Sequence, residues 1–90
     1  MEKIKGKLKS GFEYSIDADV MNDMNIIEAI ADTMEDNPIA LARLCKMLLG
    51  EEQKKALYKH FQNERGKVPI EKVGEAIVEV FNSFGEEGKN

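Results

Sequence analysis

The chain is short of the residues from which most chemical sites are built: its 90 residues include one cysteine, one histidine, two prolines and no tryptophan. Cys45 has no second cysteine to bond and none of the partners of a zinc site, so it reads as a buried structural thiol in a reducing cytosol. Apolar residues come in short periodic groups, none near the roughly 20 in a row that a bilayer span requires. The N-terminus lacks the basic, apolar and small-residue succession of a secretory leader, so a soluble, unexported protein is expected. HExxH, CxxC, DxDxDG and the phosphate loop are missing, and the carboxylates are scattered over predicted helix surfaces. His60, flanked by Lys59, Gln62, Asn63 and Glu64, has no nucleophile that the sequence pairs with it and reads as the rim of a narrow apolar face. No catalytic residue, cofactor or metal ligand is therefore expected, and the chain is not expected to be an enzyme.

What is present is enough for one small core. Hydrophobic residues make up 42% of the chain, and a chain this short buries only about 60–65% of its unfolded surface. The net charge of −4 is uneven, because residues 1–10 carry four lysines against Glu2, a local +3 that leaves −7 for the rest. Phosphate binding needs clustered cations, so nucleic acid is disfavoured as a partner.

The N-terminal segment alternates. Ile4, Leu8, Phe12, Tyr14 and Ile16 occupy even positions, with Lys3, Lys5, Lys7, Lys9, Glu13 and Ser15 between them. Period two predicts strand. Ser10-Gly11 can supply a tight two-residue turn, giving a β-hairpin over about 3–16 whose apolar face must lie on helices. The lysine face reads as a solvated edge that discourages strand-to-strand aggregation.

After the hairpin the period becomes helical. A first helix over about 22–35 presents Met24, Ile27, Ala31 and Met34 on one stripe, with Ile26 and Ile30 beside it. A second, over 38–49, opens at Asn37-Pro38 and ends at Gly50; apolar nearly all round except at Arg43 and Lys46, it should be the most buried. A third, over 51–64, starts with Glu51 and Glu52 in its first turn and has a narrow face of Leu57, Tyr58 and Phe61. A fourth, over 70–84, carries Ile70, Val73, Ile77, Val80, Phe81 and Phe84, with Gly85 as its stop. The expected fold is α+β, mostly α: an N-terminal hairpin packed on a compact bundle of about four helices, one domain over 1–85, then a polar tail at 86–90.

The turn between the last two helices resembles two kinds of site. With Gly66 at position 6 of a calcium hand, position 1 is Phe61, position 3 Asn63, position 5 Arg65, position 9 Pro69 and position 12 Lys72. Such a loop needs oxygens at 1, 3, 5 and 12, so only Asn63 qualifies and two cations stand where carboxylates belong. As a DNA-reading pair, the following helix would offer Glu71, Lys72 and Glu75 to phosphates, with net negative charge. The turn therefore reads as a corner, with Gly66 permitting it, Val68 packing beneath it and Pro69 opening the next helix.

The wording "CKMLLGEEQKKALYKHFQNERGKVPIEKVGEAIVEVF", together with the order of parts, resembles the small tail assembly chaperones of long-tailed phages and prophages from Firmicutes-type bacteria. The resemblance lies in three collinear stretches, Gly11 to Asp17, Asn22 to Leu41 and Leu48 to Val73, none of them a catalytic signature. Val68-Pro69 departs from the Val-Ser or Val-Thr more usual in the group, and the hairpin is richer in lysine. The resemblance implies a non-enzymatic protein of the bacterial host cytoplasm, absent from the mature virion, that binds the tape measure protein during phage tail assembly. It further implies contact with the tail tube protein and a longer, frameshifted form of the chain, since Gly88-Lys89-Asn90 can be encoded as GGA-AAA-AAC, which holds a slippery A-AAA-AAC. Neither nucleic acid nor a membrane is an expected partner. Val80, Phe81 and Phe84 are the candidate partner-binding residues, because aromatic side chains near a terminus are hard to bury fully and anchor small interfaces well. The competing expectation is a prophage-encoded regulatory or adaptor module that binds a host protein.

Overall fold

A computed structural model describes the backbone of residues 3–33 and 37–88, and their side chains except at residues 21 and 84–88. Strands β1 (Lys3–Lys7) and β2 (Glu13–Asp17) form an antiparallel hairpin in the register Ile4↔Ile16 and Gly6↔Tyr14. Alternation sends Tyr14 and Ile16 into the core while Lys3, Lys5 and Lys7 stay exposed. The loop is one residue longer than the expected two-residue turn. Leu8 N–H donates to the Phe12 carbonyl at 2.8 Å and Gly11 N–H to the Leu8 carbonyl at 2.9 Å, enclosing Lys9, Ser10 and Gly11. Gly11, at φ 99°, supplies the bulge that such three-residue loops need, and the added residue lets buried Leu8 reach the core.

A single turn of 3-10 helix (Val20–Asn22) leads into α1 (Met24–Thr33), α2 (Pro38–Phe61) and α3 (Ile70–Gly88). The expected count of about four helices is corrected to three, because the second and third run together as α2. Between them only Gly50 leaves helical geometry, at φ 83° and ψ 165°. That conformation is essentially open to glycine alone, so the run bends there into two arms without any linker. At the start of α2, Asn37 Oδ1 accepts the N–H groups of Ile39 (3.0 Å) and Ala40 (3.4 Å), with Pro38 in the first turn. α3 continues past Gly85 to Gly88, beyond its expected end, since a helical glycine costs only about 1 kcal/mol and does not by itself stop a helix. Of the expected tail, residues 86–88 thus belong to α3, while residues 89–90 lie outside the described residues.

The first arm of α2 is central, burying Ala40, Leu41, Leu44, Cys45, Leu48 and Leu49 with Leu57 from the second arm. α1 contradicts the expected stripe. Ile26 and Ala29 are buried, whereas Met24 is 69% and Ile27 42% exposed and Ala31 also faces solvent; Met34 lies outside the described residues. The small Ala29 lets α1 approach α2 closely, which selects the stripe beside the predicted one.

Candidate functional site

Asn63, His60 and Cys45, the residues closest to suggesting metal or catalytic chemistry, are each engaged locally. In the 63–67 turn, Asn63 Oδ1 accepts from Arg65 N–H (2.9 Å) and Lys67 N–H (3.0 Å), and Gly66 N–H donates to the Asn63 carbonyl at 3.0 Å. The one plausible calcium oxygen thus closes the loop itself, and Gly66 adopts φ 78°. His60 lies 3.0 Å from the Ser10 hydroxyl and packs tilted against Phe12 and edge-to-face with Phe61, at ring distances of 5.5 and 5.0 Å, which ties α2 to the hairpin loop. Cys45 is fully buried against Tyr58, and burial pushes its thiol up to about 11. Raised above its ordinary value of 9.0, that group favours folding below pH 9 and loses its contribution as pH rises toward 11. Among the described residues no three His, Cys, Asp or Glu side chains are grouped to hold a metal ion, and no helix is long and apolar enough to cross a membrane.

Gln53 is a residue whose importance the sequence does not announce. Its carboxamide accepts from Ser15 N–H (2.8 Å) and donates to the Ser15 carbonyl (2.7 Å) and the Leu49 carbonyl (2.7 Å). It therefore occupies the outer edge of β2 as a neighbouring strand would, which leaves the lysine-bearing β1 outermost. Gly6 has a comparable explanation: the Tyr14 ring lies across it, in the space a Cβ would enter.

Of the exposed large apolar residues, Ile70 and Val78 line a groove away from the hairpin, while Met24, Ile27 and Ile39 stand outside it. This groove, of about 820 Å³, runs between α1, the start of α2 and α3, walled by Ile30, Leu41, Leu44, Ile77, Val78 and Phe81. On α3 its wall is the stripe Ile70, Gly74, Ile77, Val78 and Phe81, beside the core stripe Val73, Ala76, Ile77 and Val80. Ile70 is 61% and Val78 58% exposed, an expensive way to place β-branched apolar residues unless something covers them. Glu71 and Glu75, one turn apart, are the carboxylates on this groove, and among the described residues neither has an ion-pair partner.

The candidate binding residues separate accordingly. Val80 is 2% exposed and belongs to the core, because its stripe faces Leu8, Tyr14 and Leu57. Phe81 is half-buried on the groove wall, and the side chain of Phe84 lies outside those described. The signal for the groove was legible as excess: α3 carries more apolar positions than one buried stripe can use. Compared with models of known protein families, with curated proteins and with solved structures, the chain finds no match in any of the three.

Proposed function

We propose that this chain is a non-enzymatic tail assembly chaperone that holds apolar helical segments of the tape measure protein in the bacterial host cytoplasm while a phage tail is built. The observation that carries the reading is the open apolar groove beside Phe81, joined to the collinear resemblance of Gly11 to Asp17, Asn22 to Leu41 and Leu48 to Val73. A non-catalytic role is supported by the engagement of His60, Asn63 and Cys45 in structural contacts. A holder must release its client when tube subunits compete. A shallow groove suits that, since interfaces below about 1,200 Å² are typically transient and their lifetimes are tuned through dissociation. In this proposal the holder is left out of the finished virion, and the tail tube protein and a frameshifted longer form of the chain are further partners.

Co-expression with the tape measure protein that this reading expects to be encoded downstream tests the function. The chain should co-purify with the tape measure protein and keep it soluble, and Phe81→Ser, if still folded, should reduce capture. A tape measure protein equally soluble without the chain would overturn the proposal, and retention of one host protein instead would favour the adaptor reading. A slippery heptamer at codons 88–90 with an open −1 frame beyond is the expected gene structure for the longer form; its absence removes that partner.

A further inference from the structure

We infer that the groove receives an amphipathic helix whose apolar stripe is flanked by lysine or arginine residues one turn apart, seated so that these cations meet Glu71 and Glu75. The stripe from Ile70 to Phe81 extends about 16 Å along α3 at 1.5 Å per residue, which matches three turns of a docked helix. Helix-in-groove recognition uses anchors at such spacing. A small apolar ligand fits the shape less well than the volume, because sites for such ligands enclose about 70–90% of their surface, whereas Ile70 and Val78 stand more than half exposed.

Charge selects among helices. Glu71 and Glu75 lie on the same side of α3 at i and i+4, whereas Glu79, the next carboxylate along, accepts the Lys9 N–H at 2.7 Å. Among the described residues a second copy offers poorer occupants: the face of α2 that bears exposed Arg43 and Lys46 has Ile39 as its one exposed large apolar residue, too little for a three-turn apolar stripe. Groove against groove would oppose like carboxylates. The exposed stripe of α1, Met24 and Ile27, is flanked by Glu28 and Asp32, and the lysines of β1 stand on a strand with no exposed apolar row. A foreign helix with basic flanks satisfies both the apolar wall and its rim. The inference rests on the holder reading only for where that helix comes from.

Two synthetic amphipathic peptides test it, identical in apolar stripe and carrying either two Lys or two Glu one turn apart beside that stripe, titrated against the full chain by fluorescence anisotropy. The Lys peptide should bind roughly three- to tenfold more tightly at low salt, the scale of two exposed ion pairs, and the difference should vanish near 1 M salt. Glu71→Lys combined with Glu75→Lys should invert the preference, and Val78→Asp should weaken both peptides at least tenfold while circular dichroism and melting stay close to the parent. Equal binding of the two peptides overturns the inference, as does indifference to Val78→Asp. A concentration-dependent dimer abolished by Val78→Asp would overturn it in favour of self-association. Preference for the Lys peptide without capture of the tape measure protein would remove the proposed function and leave the groove assignment standing; capture of that protein with no charge preference would do the reverse.

Discussion

The two ends of this molecule treat apolar surface in opposite ways. At the hairpin end, β1 and β2 lie over the second arm of α2 and the later turns of α3, and Leu8, Tyr14, Ile16, Leu57 and Val80 are all buried. Directed bonds fix that cover: Gln53 to Ser15, Lys9 to Glu79 and His60 to Ser10. At the groove end, α1 and α3 flank the start of α2 without meeting over it, and Ile70 and Val78 remain exposed. The same helix α3 serves both ends, and its two adjacent stripes differ only in whether another element of the chain covers them. Burial at the closed end accounts for stability, and exposure at the open end is unexplained by folding alone.

Substitutions at the two ends should behave differently. The largest effect belongs to the closed end: Leu57→Ala, at a side chain 1% exposed, should cost about 2–5 kcal/mol in urea unfolding. A loss under about 1 kcal/mol would mean that the hairpin does not seal the core. Gly50→Ala comes next, costing about 1–3 kcal/mol because the backbone at φ 83° and ψ 165° strains any Cβ even though the space around it is open. Gln53→Ala, which leaves both polar groups of Ser15 without their partner, should cost about 1–2 kcal/mol and speed amide exchange at Ser15. Unchanged exchange there would show the hairpin to be held by apolar packing alone.

The open end should respond in the other direction or hardly at all. At Gly74 an added Cβ would meet only Leu41 Cδ2, at 4.0 Å, and the backbone is helical, so Gly74→Ala should raise stability by about 0.5–1 kcal/mol. Val78→Asp should move the unfolding free energy by no more than about 0.5 kcal/mol, as surface substitutions do. Melting several degrees lower would show that Val78 belongs to the core and that the groove is closed in solution.

Much of this architecture was readable from local rules. Period-two spacing located both strands, Asn37-Pro38 marked the start of α2, and the positive φ of Gly50 and Gly66 stands where the sequence put a corner. The hairpin loop was misjudged by one residue, since Ser10-Gly11 fits a two-residue turn as well as a three-residue loop and only the burial of Leu8 decides. Val80 and Phe81 read alike as candidates for binding, and they are separable only once the hairpin is seen to cover Val80.

Dihedral preferences, capping and hydrophobic period act within a few residues, so they set most of the elements and their corners. Long-range packing settled which apolar stripe of α1 turned inward, that Gln53 reaches Ser15 across 38 residues, and which side of α3 stayed open. Those outcomes are competitions between burial partners far apart in the chain. The free energy of burying a stripe depends on whether a facing surface exists at packing distance, and no local pattern carries that information.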